Sequence, residues 1–128
     1  RSQLEAATNE EDFQAVGLLC REVLISLAQA VYVPEQHGSL DGTAPSPTDA
    51  KRMLEAYLYH AFGGSSHKEV RAHARASIDL ALNLQHRRTA NYLLAALCLE
   101  ATSSTVHVTA LLADRSGKAS AMTGHAAT

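Results

Sequence analysis

Apolar residues recur every three or four positions in four separate stretches of the chain, and polar residues mark where each stretch starts and stops. The first opens at Asn9-Glu10-Glu11-Asp12, where a capping amide and three acids would meet the positive end of a helix dipole. Phe13, Val16, Cys20, Val23, Leu24, Leu27 and Val31 follow at helical spacing, and a second stripe runs through Leu18, Ile25 and Tyr32. Only a narrow polar strip remains at Gln14, Arg21, Glu22 and Gln29. A helix over about 9–32 with so little polar surface must be covered on more than one side.

Residues 33–47 hold all three prolines and read as a loop long enough to cross the end of a bundle. Ser46-Pro47 restarts a helix over about 47–62, with Ser46 as cap and proline at the first helical position. Ala50, Met53, Leu54, Tyr57 and Ala61 form its inward stripe, and Gly63-Gly64 stops it. A third helix, about 66–86, buries Val70, Ala74, Ser77, Ile78 and Ala81, and sets Lys68, Arg71, Arg75, Asp79 and His86 on the opposite face. His86-Arg87-Arg88-Thr89 reads either as a turn, with Thr89 capping a fourth helix over about 89–113, or as the middle of one merged helix.

Thr89–Ala113 carries only two acidic or basic side chains, Glu100 and His107. Its length would span a bilayer. Asn91, Glu100, His107 and the Thr102-Ser103-Ser104-Thr105 run would be costly in lipid, so a core helix is expected and no membrane partner. Small residues around Ala95, Ala96 and Ala101 permit close helix approach, and the hydroxyls can bond back to their own helix. The small, polar tail 115–128 is expected to be disordered. The expectation is one all-α domain over residues 1–114, an antiparallel up-and-down four-helix bundle. Its doubly apolar first and fourth helices predict that two chains pair as a homodimer.

Composition sharpens the helical reading. The chain of 128 residues has 23 Ala and 17 Leu but no Trp and two Phe, which argues against a β-sandwich or barrel. Net charge is −2, yet the chain is dipolar: residues 1–36 carry two Arg against six acids, and residues 66–93 carry five Lys and Arg against two acids. Arg71, Arg75 and Arg88 are candidates for holding an anion, and His86, Arg87 and Arg88 are weak candidates for acid/base work on RNA. The alternative is a basic exposed face meeting carboxylates of another subunit.

Glu100 and His107 lie two turns apart on one helix face, about 10 Å along the axis. A carboxylate in an apolar stripe should seek a cation, and Arg21 is the nominated partner of a buried polar set. A solvent-exposed Glu100 and a catalytic role are the alternatives. Cys20 and Cys98 both fall in apolar helical patterns, so two buried free thiols in a cytoplasmic protein are expected, and nothing in the spacing selects a disulfide. Glu69 and His73 share a helix face without a third ligand, so neither metal nor cofactor is expected. No phosphate-binding loop, dinucleotide fingerprint or nucleophile elbow occurs. The chain starts Arg-Ser-Gln without a leader pattern, which reads as a module whose partners include other domains of a longer chain.

The runs SPTDAKRMLEAYL and LNLQHRRTANYLLAALCLEAT resemble helical C-terminal domains of bacterial abortive-infection and phage-defence-associated proteins, which are HEPN-like. The resemblance implies a dimeric four-helix bundle and, in many members, metal-independent cleavage of RNA. The nuclease motif of that superfamily, an Arg followed by four to six residues and a His, is not matched. Seven residues separate Arg52 from His60, and ten separate Arg75 from His86. The resemblance therefore implies a non-enzymatic interaction and dimerisation module, with an RNA-binding or ribonuclease domain as the alternative.

Overall fold

The computed structural model describes residues 2–38, 40, 42–63, 67–83 and 91–127, with side chains as far as Asp114. These residues form five helices and no strand: α1 (Ser2–Ala6), α2 (Glu10–Val31), α3 (Ala50–Ala61), α4 (Lys68–Asn83) and α5 (Tyr92–Ala127). The protein is all-helical, as its alanine and leucine content requires. α5 packs on α2 and α4, α2 packs on α3 and α4, and α3 packs on α4. The short α1, which the hydrophobic pattern does not announce, rests on α2 and α5 through its one buried side chain, Leu4.

Local chemistry sets the helix starts. The Asn9 side chain accepts from the Asp12 N–H at 2.9 Å, and the Asp12 carboxylate accepts from the Thr8 N–H at 3.0 Å. This reciprocal pair satisfies donors that the first turn of α2 would leave orphaned. α3 begins later than expected. Ser46 and Pro47 belong to a turn closed by the Asp49 N–H on the Ser46 carbonyl, and the cap is Asp49, whose carboxylate accepts from the Arg52 N–H at 3.2 Å. A carboxylate at the helix start, already paired with Arg52, outcompetes the serine three residues earlier. The cap of α5 is Asn91, accepting from the Leu94 N–H at 2.9 Å, rather than Thr89. The junction 84–90, with Thr89 and the question of whether the third and fourth helices merge, lies outside the described residues.

Two apolar clusters make the core. The larger gathers Leu24, Ala28, Met53, Leu54, Ile78 and Leu112 from α2, α3, α4 and α5, and the smaller gathers Leu4, Val16, Cys20, Ala95 and Cys98 from α1, α2 and α5. Truncating a fully buried Leu24 or Leu54 would cost about 2–5 kcal/mol. The ion pairs linking α3 to α4, Lys51–Asp79 at 2.8 Å and Arg75–Glu55 at 3.4 Å, are mostly exposed and contribute roughly 0–1 kcal/mol each. Apolar burial, not charge pairing, holds the helices together.

α5 is longer than expected, and its inward face is the small-residue surface that the sequence suggested. Its backbone stays helical to Ala127 instead of ending near residue 113; the alanines at 119, 121, 126 and 127 favour helix enough to offset Gly117 and Gly124. Its buried face is also built mostly from small side chains, Ala95, Cys98, Ala101, Thr102, Thr105 and Thr109. Thr102 and Thr105 donate to the carbonyls of Cys98 and Ala101 at 2.8 and 2.9 Å, which satisfies their hydroxyls within the helix.

Candidate functional site

The small inward face of α5 leaves Leu93, Leu97 and Leu111 outward, while Leu94, Leu99 and Leu112 pack on the core. Leu93, Leu97 and Leu111 are 65%, 41% and 71% exposed, and they share one face with Glu100, Ser104 and His107. Spacings of four and three alternate along 93, 97, 100, 104, 107 and 111, the pattern of a coiled-coil seam. The expected burial of Glu100 and His107 is therefore corrected: both are exposed, on the face opposite the core. Arg21 is half-exposed, and its guanidinium lies 3.6 Å from the neighbouring Glu22. The physical reason is the packing on α2 and α4. Small side chains let α5 approach closely, so the charged positions turn to the side where water reaches them.

α2 also leaves part of its surface uncovered, at Leu18, Leu19 and Val23. By length and composition, Glu10–Val31 and Tyr92–Asp114 are each apolar enough to cross a membrane, as core helices of soluble proteins can be, and 33% of each apolar window is buried within the chain.

A second constellation lies between α3 and α4. Lys68, Arg71 and Arg75 rise on one face of α4 and, with Glu55, Leu58 and Tyr59 of α3, line a cavity of about 370 Å³. The Arg71 guanidinium sits 5.7 Å from the Tyr59 ring centre and donates to the Phe62 carbonyl. Arg75 reaches the half-buried Glu55. Three cations facing one carboxylate leave the groove with an excess of positive charge, suited to an anion. Of the sequence candidates for an anion site, Arg71 and Arg75 come together here. His86, Arg87 and Arg88 lie outside the described residues. His73 bonds Ser104 of α5 at 3.2 Å, and among the described residues no group of three or more His, Cys, Asp or Glu side chains could hold a metal.

Two arrangements have no local signal in the sequence. Cys20 and Cys98, 78 positions apart, meet in the smaller core cluster. Cys98 also donates to the Ala81 carbonyl at 3.0 Å. The Cys98 sulfhydryl draws the Cys20 thiol down to about 6 against the opposing effect of burial, and the same contact, reinforced by burial, pushes the Cys98 thiol up.

The second is an aromatic nest around His37, which lies 5.2 Å from the Tyr57 ring centre and 6.0 Å from those of Tyr32 and His60. The Val33 N–H donates to His37 Nδ1 at 2.9 Å, closing the turn that follows α2. Burial, and then the charge of His60, hold the His37 imidazole below its ordinary 6.5.

Comparison with models of known protein families, with curated proteins and with solved structures finds no match to this chain.

The depressed His37 has a consequence for stability. Because the folded state resists protonation, the unfolded chain binds the proton first, and stability falls as pH drops below 6.5. Urea unfolding at pH 7.5 and pH 5.5 will show a lower midpoint at the acid pH. The drop will be smaller in His37→Asn, which keeps an acceptor for Val33 but cannot titrate. An equal drop in both chains would remove His37 from the account.

Proposed function

We propose that this chain is a non-enzymatic helical self-association module, its four longer helices arranged as an antiparallel up-and-down bundle and its α5 pairing with α5 of a second copy. The observation that carries the reading is the symmetry of the outward α5 seam. Ser104 lies midway between Leu97 and Leu111, and almost midway between Glu100 and His107. A two-fold axis at Ser104, with the two helices antiparallel, sets Leu97 against Leu111 of the second copy and Glu100 against His107 of the second copy. Each pair forms twice, as a closed symmetric contact requires. Ser104 at the centre is small and half-buried, and its hydroxyl is already bonded to His73 of α4.

Magnitudes make the pairing weak. Leu97 and Leu111 from each copy, at about 1.5–3 kcal/mol for each side chain fully buried, supply at most on the order of 10 kcal/mol. Lost translational and rotational freedom costs about 4–15 kcal/mol, so the surplus is small. Register then rests on the two carboxylate–imidazole pairs, because two carboxylates facing each other would erase the surplus.

A second reading, binding of single-stranded RNA or another phosphate-bearing chain, is favoured by one observation: the cationic groove of Lys68, Arg71 and Arg75 beside the Tyr59 ring. It requires affinity for an RNA oligonucleotide to fall steeply with salt, and the Lys68→Glu variant to bind more weakly with a shallower salt slope. Salt-independent binding, or an unchanged slope in Lys68→Glu, removes it.

The self-association reading is checked by sedimentation over a range of concentrations. The mass should rise from 13.7 kDa towards twice that value. His107→Glu, which puts carboxylates face to face, should shift the midpoint at least roughly tenfold to higher concentration, a change of about 1.4 kcal/mol. Combining it with Glu100→Lys should restore pairing. A chain that stays monomeric at every concentration, or a double variant no better than His107→Glu alone, contradicts the proposal.

A further inference from the structure

The smaller core cluster holds an arrangement that self-association does not use. Cys20 on α2 and Cys98 on α5 are both free and buried, and they share that cluster. Cys20, but not Cys98, also lines a small cavity of about 70 Å³ bounded by Leu4 of α1, Leu19 and Val23 of α2, and Leu99 and Thr102 of α5. Leu19 and Val23 are exposed, so the cavity lies at the surface of the protein. Its volume is that of about two water molecules, enough for a small hydroperoxide and too little for a bulky reagent.

From this geometry we infer that Cys20 and Cys98 form a peroxide-reactive pair, in which Cys20 is the nucleophile and Cys98 the resolving thiol. In the first step the Cys20 thiolate attacks one oxygen of a hydroperoxide. The O–O bond breaks, the far oxygen leaves as an alcohol or water after taking a proton from solvent, and Cys20 becomes a sulfenic acid. The sulfur has lost two electrons to the peroxide. In the second step the Cys98 sulfur attacks the Cys20 sulfur; the S–O bond breaks, an S–S bond forms, and water leaves carrying the proton of Cys98. Overall, two thiols and one hydroperoxide give one disulfide, one alcohol or water, and one further water.

The division of labour follows from the surroundings of each sulfur. Cys98 donates to the Ala81 carbonyl at 3.0 Å and has no face on the cavity, so it keeps its proton and meets no oxidant. Cys20 faces the cavity and is the sulfur that an entering oxidant meets first. The Thr102 hydroxyl stands beside both sulfurs. The product ties α2 to α5 at the point where Leu4 of α1 covers them.

Treatment of the full chain with one equivalent of hydrogen peroxide, followed by intact mass and thiol counting in denaturant, tests this directly. The expected product is a monomeric chain lighter by two hydrogens with both thiols gone, formed roughly tenfold faster in the folded chain than in urea, where the thiolate is no longer favoured. Cys98→Ser should stop at a sulfenic acid on Cys20 that a dimedone probe captures, while Cys20→Ser should leave Cys98 unmodified over the same time. Circular dichroism establishes that each variant folds, and the comparison of folded with denatured chain stands even where one does not. Equal rates folded and denatured, disulfides between chains rather than within one, or oxidation of Cys98 in Cys20→Ser would each overturn the assignment.

Discussion

How closely α5 can approach its neighbours governs the rest of this fold. The helix meets α2 and α4 through Ala95, Cys98, Ala101, Thr102, Thr105 and Thr109, with Leu112 the one large aliphatic side chain buried on that face. Threonines can line such an interface because their hydroxyls need no outside partner; Thr102 and Thr105 bond to carbonyls one turn back. Close approach brings the Cys98 sulfur against both Cys20 and the Ala81 carbonyl. It also leaves no inward room for Leu93, Leu97 and Leu111. The thiol pair and the apolar outer seam are two results of one packing choice.

The helices themselves were legible in the residue pattern. Asn9 followed by three acids marks the start of α2, and Gly63 marks the end of α3. Local competition decided what the pattern left blurred: Asp49 rather than Ser46 caps α3, and Asn91 caps α5, because in each case the observed side chain bonds an N–H three residues on. The inward face of α5 was legible in part: Ala95, Ala101 and the Thr102–Thr105 hydroxyls marked a close-packing surface, but Glu100 and His107 were wrongly placed inside with it. Two seams run along that helix at the same spacing, one of leucines and one of alanine, cysteine and threonine, and hydrophobicity alone favours burying the leucines. Small residues won because contact with two neighbouring helices rewards closeness more than side-chain size. The Cys20–Cys98 contact was beyond reach for a simpler reason: nothing local in a sequence links positions 78 apart.

Charge plays a separate part. The cations of α4 gather at the α3–α4 groove, where Glu55 and Tyr59 hold Arg75 and Arg71 in place. The outer seam of α5 instead carries one acid and one imidazole, spaced so that they are complementary only to a reversed copy of themselves. Glu100 and His107 contribute little as a buried set inside one chain. As exposed groups on an apolar strip, they can specify register between two chains at small cost to either alone.

The central claim is that the outward face of α5 is covered by the same face of a second copy. Mixing chains whose leucine methyls are carbon-13 labelled with unlabelled chains, and recording an isotope-filtered NOE spectrum at a concentration well above the association midpoint, measures this contact directly. The account predicts intermolecular cross-peaks from the methyls of Leu97 and Leu111 and none from the core methyls of Leu24 and Leu54. Intermolecular peaks absent from the α5 leucines, in a chain that remains folded, would contradict it.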